Sequence, residues 1–130
     1  MSIAIGALVA AKELDRENLA ILKQLGFESI GITFWETLGE TDLLALAKLV
    51  EKADMQVSAL SVWGNPLANS TTAEGWRTLI EHASQFGSPF VTGFAGRVPN
   101  TSVEESLPAW KDLFSDLLER AHQHDCKGLL

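Results

Sequence analysis

Four times over, a short apolar run is followed by a segment whose apolar residues recur at helical spacing, and this alternation limits the fold more than any other property of the chain. Strands alternating with helices on short links imply parallel strands joined by right-handed crossovers. The first run, residues 3–9, is rich in Ile, Leu and Val without polar alternation, as for a strand covered on both faces. Asp15 then caps a helix with Leu19, Leu22 and Leu25 on one face, and Gly26 stops it. Residues 29–35 form the second strand, and from Thr41 the residues Leu43, Leu46, Ala47 and Val50 line a second helix. Residues 56–62 form the third strand. Thr71 with Glu74 reads as a capping box opening a helix that presents Trp76, Leu79, Ile80 and Ala83, closed by Gly87.

The fourth unit has a strand over 90–94 and a second capping box at Ser102 and Glu105. In its helix Leu107, Trp110, Phe114, Leu117, Leu118 and Ala121 share a face, with Glu104, Asp112, Asp116 and Glu119 opposite in water. Residues 126–130 begin a fifth strand. The fold class is therefore α/β, a parallel (βα)4 array plus the start of a fifth strand. Two architectures satisfy it: an open flavodoxin-like sheet, or the leading half of a (β/α)8 barrel. The 130 residues make one domain spanning 1–130, too short for a closed eight-unit barrel, which takes roughly 200 or more.

Composition excludes several classes of function. Ten Lys and Arg against 17 Asp and Glu give a net charge of −7, which disfavours partners bound through a basic face, nucleic acid and anionic membranes alike. The lone Cys126 can form no intrachain disulfide, so a cytoplasmic setting is expected. The apolar residues 1–11 have no basic residue ahead of them and run into Lys12-Glu13, so they read as a strand rather than a signal peptide. No apolar stretch approaches the roughly 20 residues of a membrane span.

In either architecture ligands bind where strands lead into helices. The first such loop holds Ala10, Ala11 and Lys12, with neither the carboxylates of a magnesium site nor the hydroxyls and glycines of a phosphate cradle. The second holds Trp35 and Glu36, the third Trp63, Gly64 and Asn65, the fourth Gly96 and Arg97. The indoles suit the C–H face of a sugar ring, or else cap the core. Arg97 suits a phosphate or carboxylate, or a surface ion pair. Asn65, ahead of Pro66, serves a substrate hydroxyl or starts a turn. Glu36 is a single carboxylate without a partner, a hydroxyl acceptor or merely solvated. His82, His122 and His124 fall on helices or just past a helix end, away from these loops, and Cys126 reads as packing.

The run Val57-Ser58-Ala59-Leu60-Ser61-Val62-Trp63-Gly64-Asn65-Pro66-Leu67, then Thr92-Gly93-Phe94-Ala95-Gly96-Arg97, resembles the third and fourth strands of xylose isomerase-like TIM barrels of the sugar phosphate isomerase/epimerase family. Leu25-Gly26-Phe27-Glu28-Ser29-Ile30 is similar to that family's link into its second strand. The resemblance implies a metal-dependent shift of a proton or hydride between adjacent sugar carbons. It implies a divalent metal whose ligands come from later strands, so none is assigned among these residues and no catalytic residue is carried over. It leaves Trp35, Glu36, Trp63, Asn65 and Arg97 as substrate-binding candidates for a sugar or sugar phosphate. The expectation is the N-terminal half of such a barrel, truncated or split and inactive alone. An α/β interaction module that associates through open strand edges is the alternative, followed by a fragment like the abasic-site endonucleases of the same fold.

Overall fold

A computed structural model describes residues 3–130. Met1 and Ser2, which open the apolar N-terminal run, lie outside the described residues. The strands are β1 (Gly6–Ala10), β2 (Ser29–Trp35), β3 (Gln56–Trp63), β4 (Phe90–Gly93) and β5 (Gly128–Leu129). Between them run α1 (Arg16–Gln24), α2 (Leu43–Lys52), α3 (Ser70–His82) and α4 (Val103–Gln123), with 3-10 turns at Ala11–Glu13 and Ala83–Phe86.

All strand pairs are parallel, in the order β1-β2-β3-β4-β5. A flavodoxin-like sheet would place its first strand between its second and third. The consecutive order therefore removes the open-sheet alternative and leaves the barrel segment. With every crossover right-handed and every step in the same direction, the helices gather on one face of the sheet. Ile30, Ile32 and Phe34 from β2, Leu60 and Val62 from β3 and Val91 from β4 form the core there with Leu19, Leu46, Val50, Trp76, Leu79 and Leu117. At Gly93 the backbone and α3 approach closely: a Cβ would lie 2.6 Å from Cζ2 of Trp76.

Local signals behave as their chemistry dictates, with four corrections. Asp15 accepts from the Asn18 N–H at 2.7 Å to start α1, Asp42 does the same for Ala45 at 3.0 Å to start α2, and Ser102 and Glu105 form the reciprocal box of α4. At α3, by contrast, the expected Thr71–Glu74 box is absent. Asn69 caps that helix through the Thr71 N–H at 3.0 Å, and Glu74 pairs with Arg77 at 3.3 Å. The second correction concerns β1, expected to be covered on both faces. It is an edge strand, and Leu8 is 72% exposed.

Third, the apolar stripe of α4 is only partly covered: Leu117 and Ala121 are buried, whereas Leu107, Trp110 and Leu118 are exposed. A helix of 21 residues spans about 31 Å. It lies along a four-residue β4 and a two-residue β5, which leave its first half without a strand beneath it.

The fourth correction is Asp116, which does not simply face water. It accepts from Arg77 Nε of α3 at 3.1 Å and from Arg120 Nε at 3.2 Å, while Arg120 also reaches Glu81 at 2.8 Å. The Arg77 hydrogen bond, reinforced by Arg120, holds the Asp116 carboxyl below the ordinary aspartate range. A depressed folded-state pKa contributes stability that is complete above the unfolded value and lost as pH falls toward the folded one. Asp116→Asn is therefore expected to lower the Tm at neutral pH by about 3 °C, as for a partly exposed cluster. The gap from the parent should close as thermal melts are moved to acid. A gap that widens in acid sinks the assignment.

Candidate functional site

The carboxyl ends of β1 to β4 all emerge on one rim of the sheet, so the loops that follow them are neighbours. Register decides which side chains share a level. Ala10, Thr33, Ser61 and Thr92 align across four strands, and one step higher Trp35 stands beside Trp63. Phe94, just past β4, meets the Trp63 ring edge-on with centroids 5.0 Å apart. Below them Ser61 and Thr92 share a hydrogen bond of 2.6 Å. The rim thus carries an aromatic row, Trp35, Trp63 and Phe94, over a row of hydroxyls. Trp35 is 73% exposed, so its indole face is open to a ligand.

Glu36 follows in a left-handed conformation, φ 60°, that non-glycine residues seldom adopt. Two bonds hold it there: its N–H donates to the Trp63 carbonyl, and its own carbonyl accepts from the buried Thr72 hydroxyl at 2.8 Å. The backbone is fixed and the carboxylate is left unengaged among the described residues.

Asn65 ties two loops together. Its Oδ1 accepts from the N–H of Leu67 at 3.1 Å and of Arg97 at 3.0 Å, and its Nδ2 donates to the Arg97 carbonyl at 2.7 Å. Gly96 makes this possible, with φ 79° and a face pressed against Asn65 Oδ1 and Pro66. Arg97 is consequently anchored by its backbone, while its guanidinium makes no ion pair among the described residues.

Four of the five candidates fall into two linked groups, and Glu36 joins the first through its backbone bond to Trp63. Trp35 and Trp63 line one hollow with Thr33, Thr37 and Lys12, and Asn65 and Arg97 form the second group across Trp63 and Phe94. Lys12 was visible only as a charged residue after β1. Its place in the first 3-10 turn, at the wall of the tryptophan hollow, makes it a second cation on the rim. A shallow hollow elsewhere lies between α3 and α4, over Arg77 and Asp116. The histidines sit in α3, in α4 or at its end, with His82 Nδ1 2.8 Å from the Thr78 carbonyl.

The resemblance implies a divalent metal, which would need several donor side chains gathered at one point. Among the described residues no three His, Cys, Asp or Glu side chains converge. The donors among the described residues do not fit a metal centre.

Comparison with solved structures fits this architecture. A xylose isomerase domain protein from Planctomyces limnophilus superposes with a TM-score of 0.72 at 16% identity, over 96% of this chain and 52% of that one. The fold is that of half a (β/α)8 barrel. A family 2 AP endonuclease from Brucella melitensis gives a TM-score of 0.69 at 10% identity, covering 98% of this chain and 55% of its own. A D-allulose 3-epimerase from Methylomonas sp. gives 0.67 at 14%, with 97% and 51% covered. The chain spans about half the length of each. No family model matches the sequence, and no curated protein matches it.

Proposed function

We propose that the rim is the sugar-binding face of an isomerase/epimerase-type barrel, and that its ligand is a sugar phosphate or another acidic sugar. The observation that carries this reading is the aromatic row beside an unengaged arginine: Trp35 and Trp63 at one level, with the anchored Arg97 backbone one loop away. Indole faces take the C–H side of a pyranose or furanose ring, and a guanidinium fork takes a phosphate or carboxylate. Glu36 accepts from a ring hydroxyl. Asn65 keeps one amide hydrogen beyond the bond to Arg97 and offers it to another hydroxyl. Lys12 adds charge on the far wall.

Moving a proton between adjacent carbons takes a base and a stabiliser for the developing oxyanion. Of the five candidate residues only Glu36 is a carboxylate. We therefore assign binding to this chain and not turnover.

The likeness to an AP endonuclease supports a second reading, in which the deoxyribose of an abasic site occupies the rim. Two cations on the rim of a chain with net charge −7 argue for a small molecule over a duplex. The setting expected is cytoplasmic. No described helix is long and apolar enough to cross a membrane.

Calorimetric titration with a ketohexose phosphate, the matching neutral sugar and an abasic duplex tests these assignments. The sugar phosphate is expected to bind best. Arg97→Ala should weaken it by about 10- to 100-fold, the loss of one charge-assisted contact, and leave the neutral sugar unchanged. Trp35→Ala should weaken both sugars. Equal affinity of Arg97→Ala and the parent for the phosphate removes Arg97 from the site, and preferential duplex binding favours the second reading.

A further inference from the structure

Among the described residues, one face of the sheet carries the helices and the other carries none. On this open face lie Leu8 of β1, Thr33 and Trp35 of β2, Ala59 and Trp63 of β3, and, past β4, Phe94, with Leu8, Trp35 and Phe94 exposed. Leu8 lies flat across Gly31, where a Cβ would come within 2.7 Å of its Cδ2. The five strands contain no Asp, Glu, Lys or Arg, so all the formal charge sits on helices and loops. Among the described residues, the two outer strands, β1 and β5, each have one edge without a partner strand.

Area gives a measure of what is missing. The chain exposes 7858 Å². A compact monomer of its 14.1 kDa is expected to expose about 6,700 Å², so the excess is on the order of 1,100 Å². Burying that amount on each of two copies removes roughly 2,200 Å², within the range of obligate homodimers.

We propose that a second copy of this chain covers the open face below the aromatic rim, which stays accessible, the two halves closing around a shared two-fold axis that runs parallel to the strands. That axis keeps all strands parallel and brings β1 of each copy to the β4–β5 edge of the other. Both free edges are satisfied by one operation, and the contact is closed and self-complementary, so it ends at two copies. The strands carry no charge, so bringing two chains of net charge −7 together places no like charges face to face at the contact. The interior of a closed barrel is filled by stacked layers of side chains drawn from alternate strands, and Leu8, Gly31, Ala59 and Phe90 offer positions from four successive strands to such layers.

Sedimentation velocity of the 130-residue chain at tens of micromolar tests this. The parent should run at twice 14.1 kDa. Leu8→Lys, at a side chain that the isolated fold leaves exposed, should raise the dimer dissociation constant at least about a hundredfold by placing an unpaired charge in the contact. Its far-UV circular dichroism should be that of a folded chain. Leu8→Gln should shift dissociation less, in the same direction, and serves if the lysine variant fails to fold. Leu118→Lys, on the exposed stripe of α4, should leave the dimer intact. A parent that runs as a monomer, assemblies larger than two, a dimer indifferent to Leu8→Lys and Leu8→Gln, or one lost in Leu118→Lys overturns the proposal.

Discussion

Replacing Trp76 by alanine should lower the free energy of unfolding by about 3–5 kcal/mol, a large part of the ~5–15 kcal/mol that holds a domain of this size together. Trp76 is 1% exposed, meets Phe114 edge-on at 5.4 Å and rests on β4 where Gly93 has no side chain. It joins α3, α4 and the sheet in one contact. Gly93→Ala attacks the same contact from the other side. Its Cβ would meet the Val62 carbonyl at 2.5 Å and the indole at 2.6 Å, so either α3 or the strand must move. Overpacking of this kind costs about 1–3 kcal/mol. Trp76→Phe should be mild for its size, because the indole Nε1 is buried without a hydrogen-bond partner among the described residues and phenylalanine removes that unsatisfied donor. Combining Trp76→Phe with Gly93→Ala should recover part of the glycine variant's loss, a coupling that urea unfolding of all four chains measures. A Gly93→Ala chain within about 0.5 kcal/mol of the parent would show that the close approach does not exist.

The second large effect is expected at Asn65. Asn65→Ala removes two hydrogen bonds that tie the loop after β3 to the loop after β4 and a third within its own loop, at a cost of about 1–3 kcal/mol for partly exposed groups. The loss is local. Amide exchange at Arg97 should accelerate by one or two orders of magnitude while the β2–β3 ladder keeps its protection. Affinity for an anionic sugar should fall nearly as far as in Arg97→Ala, although the guanidinium is still present, because its backbone anchor is gone. Asn65→Asp keeps the acceptor but not the donor and should lie between the two. Gly96→Ala should resemble Asn65→Ala, since it forces a side chain into a left-handed backbone and against the same carboxamide. Unchanged exchange at Arg97 in Asn65→Ala would mean that the loop is held by something else.

Helical periodicity and caps made most of the element order legible: β2 and the buried faces of α2 and α3 lie where the spacing of Leu43, Leu46, Ala47, Val50, Trp76 and Leu79 places them. What escaped the sequence depended on contacts with distant backbone. Asn69, Ser70 and Thr71 are all competent to cap α3. The turn that begins at Asn65, with the N–H of Asn69 on the Asn65 carbonyl at 2.9 Å, decides among them. In β3 the alternation groups Val57 with Ala59, Ser61 and Trp63. A bulge between the pairs Ile30–Val57 and Gly31–Ala59 leaves Ser58 as the extra residue and turns Val57 toward the helices instead. The site was legible as residue types at strand ends, and Trp35 and Trp63 do share a level. The hydrogen bonds of Asn65 were not, because their partners are main-chain groups 32 residues away.

In this sheet each strand's neighbour in space is also the next strand along the chain. No pairing therefore waits for a distant segment to arrive, and the loop closed by each new pairing is only one helix long. Each step therefore closes a loop of similar, modest length, which keeps its entropic cost small even though parallel pairing is never local. The order has a direction as well. β1, α1 and β2 can associate as soon as they leave the ribosome, and each later unit docks on an edge already formed, with α4 and β5 last. The exposed edge moves along the chain as it grows, so at every stage the growing chain presents one fresh strand for the next to pair with.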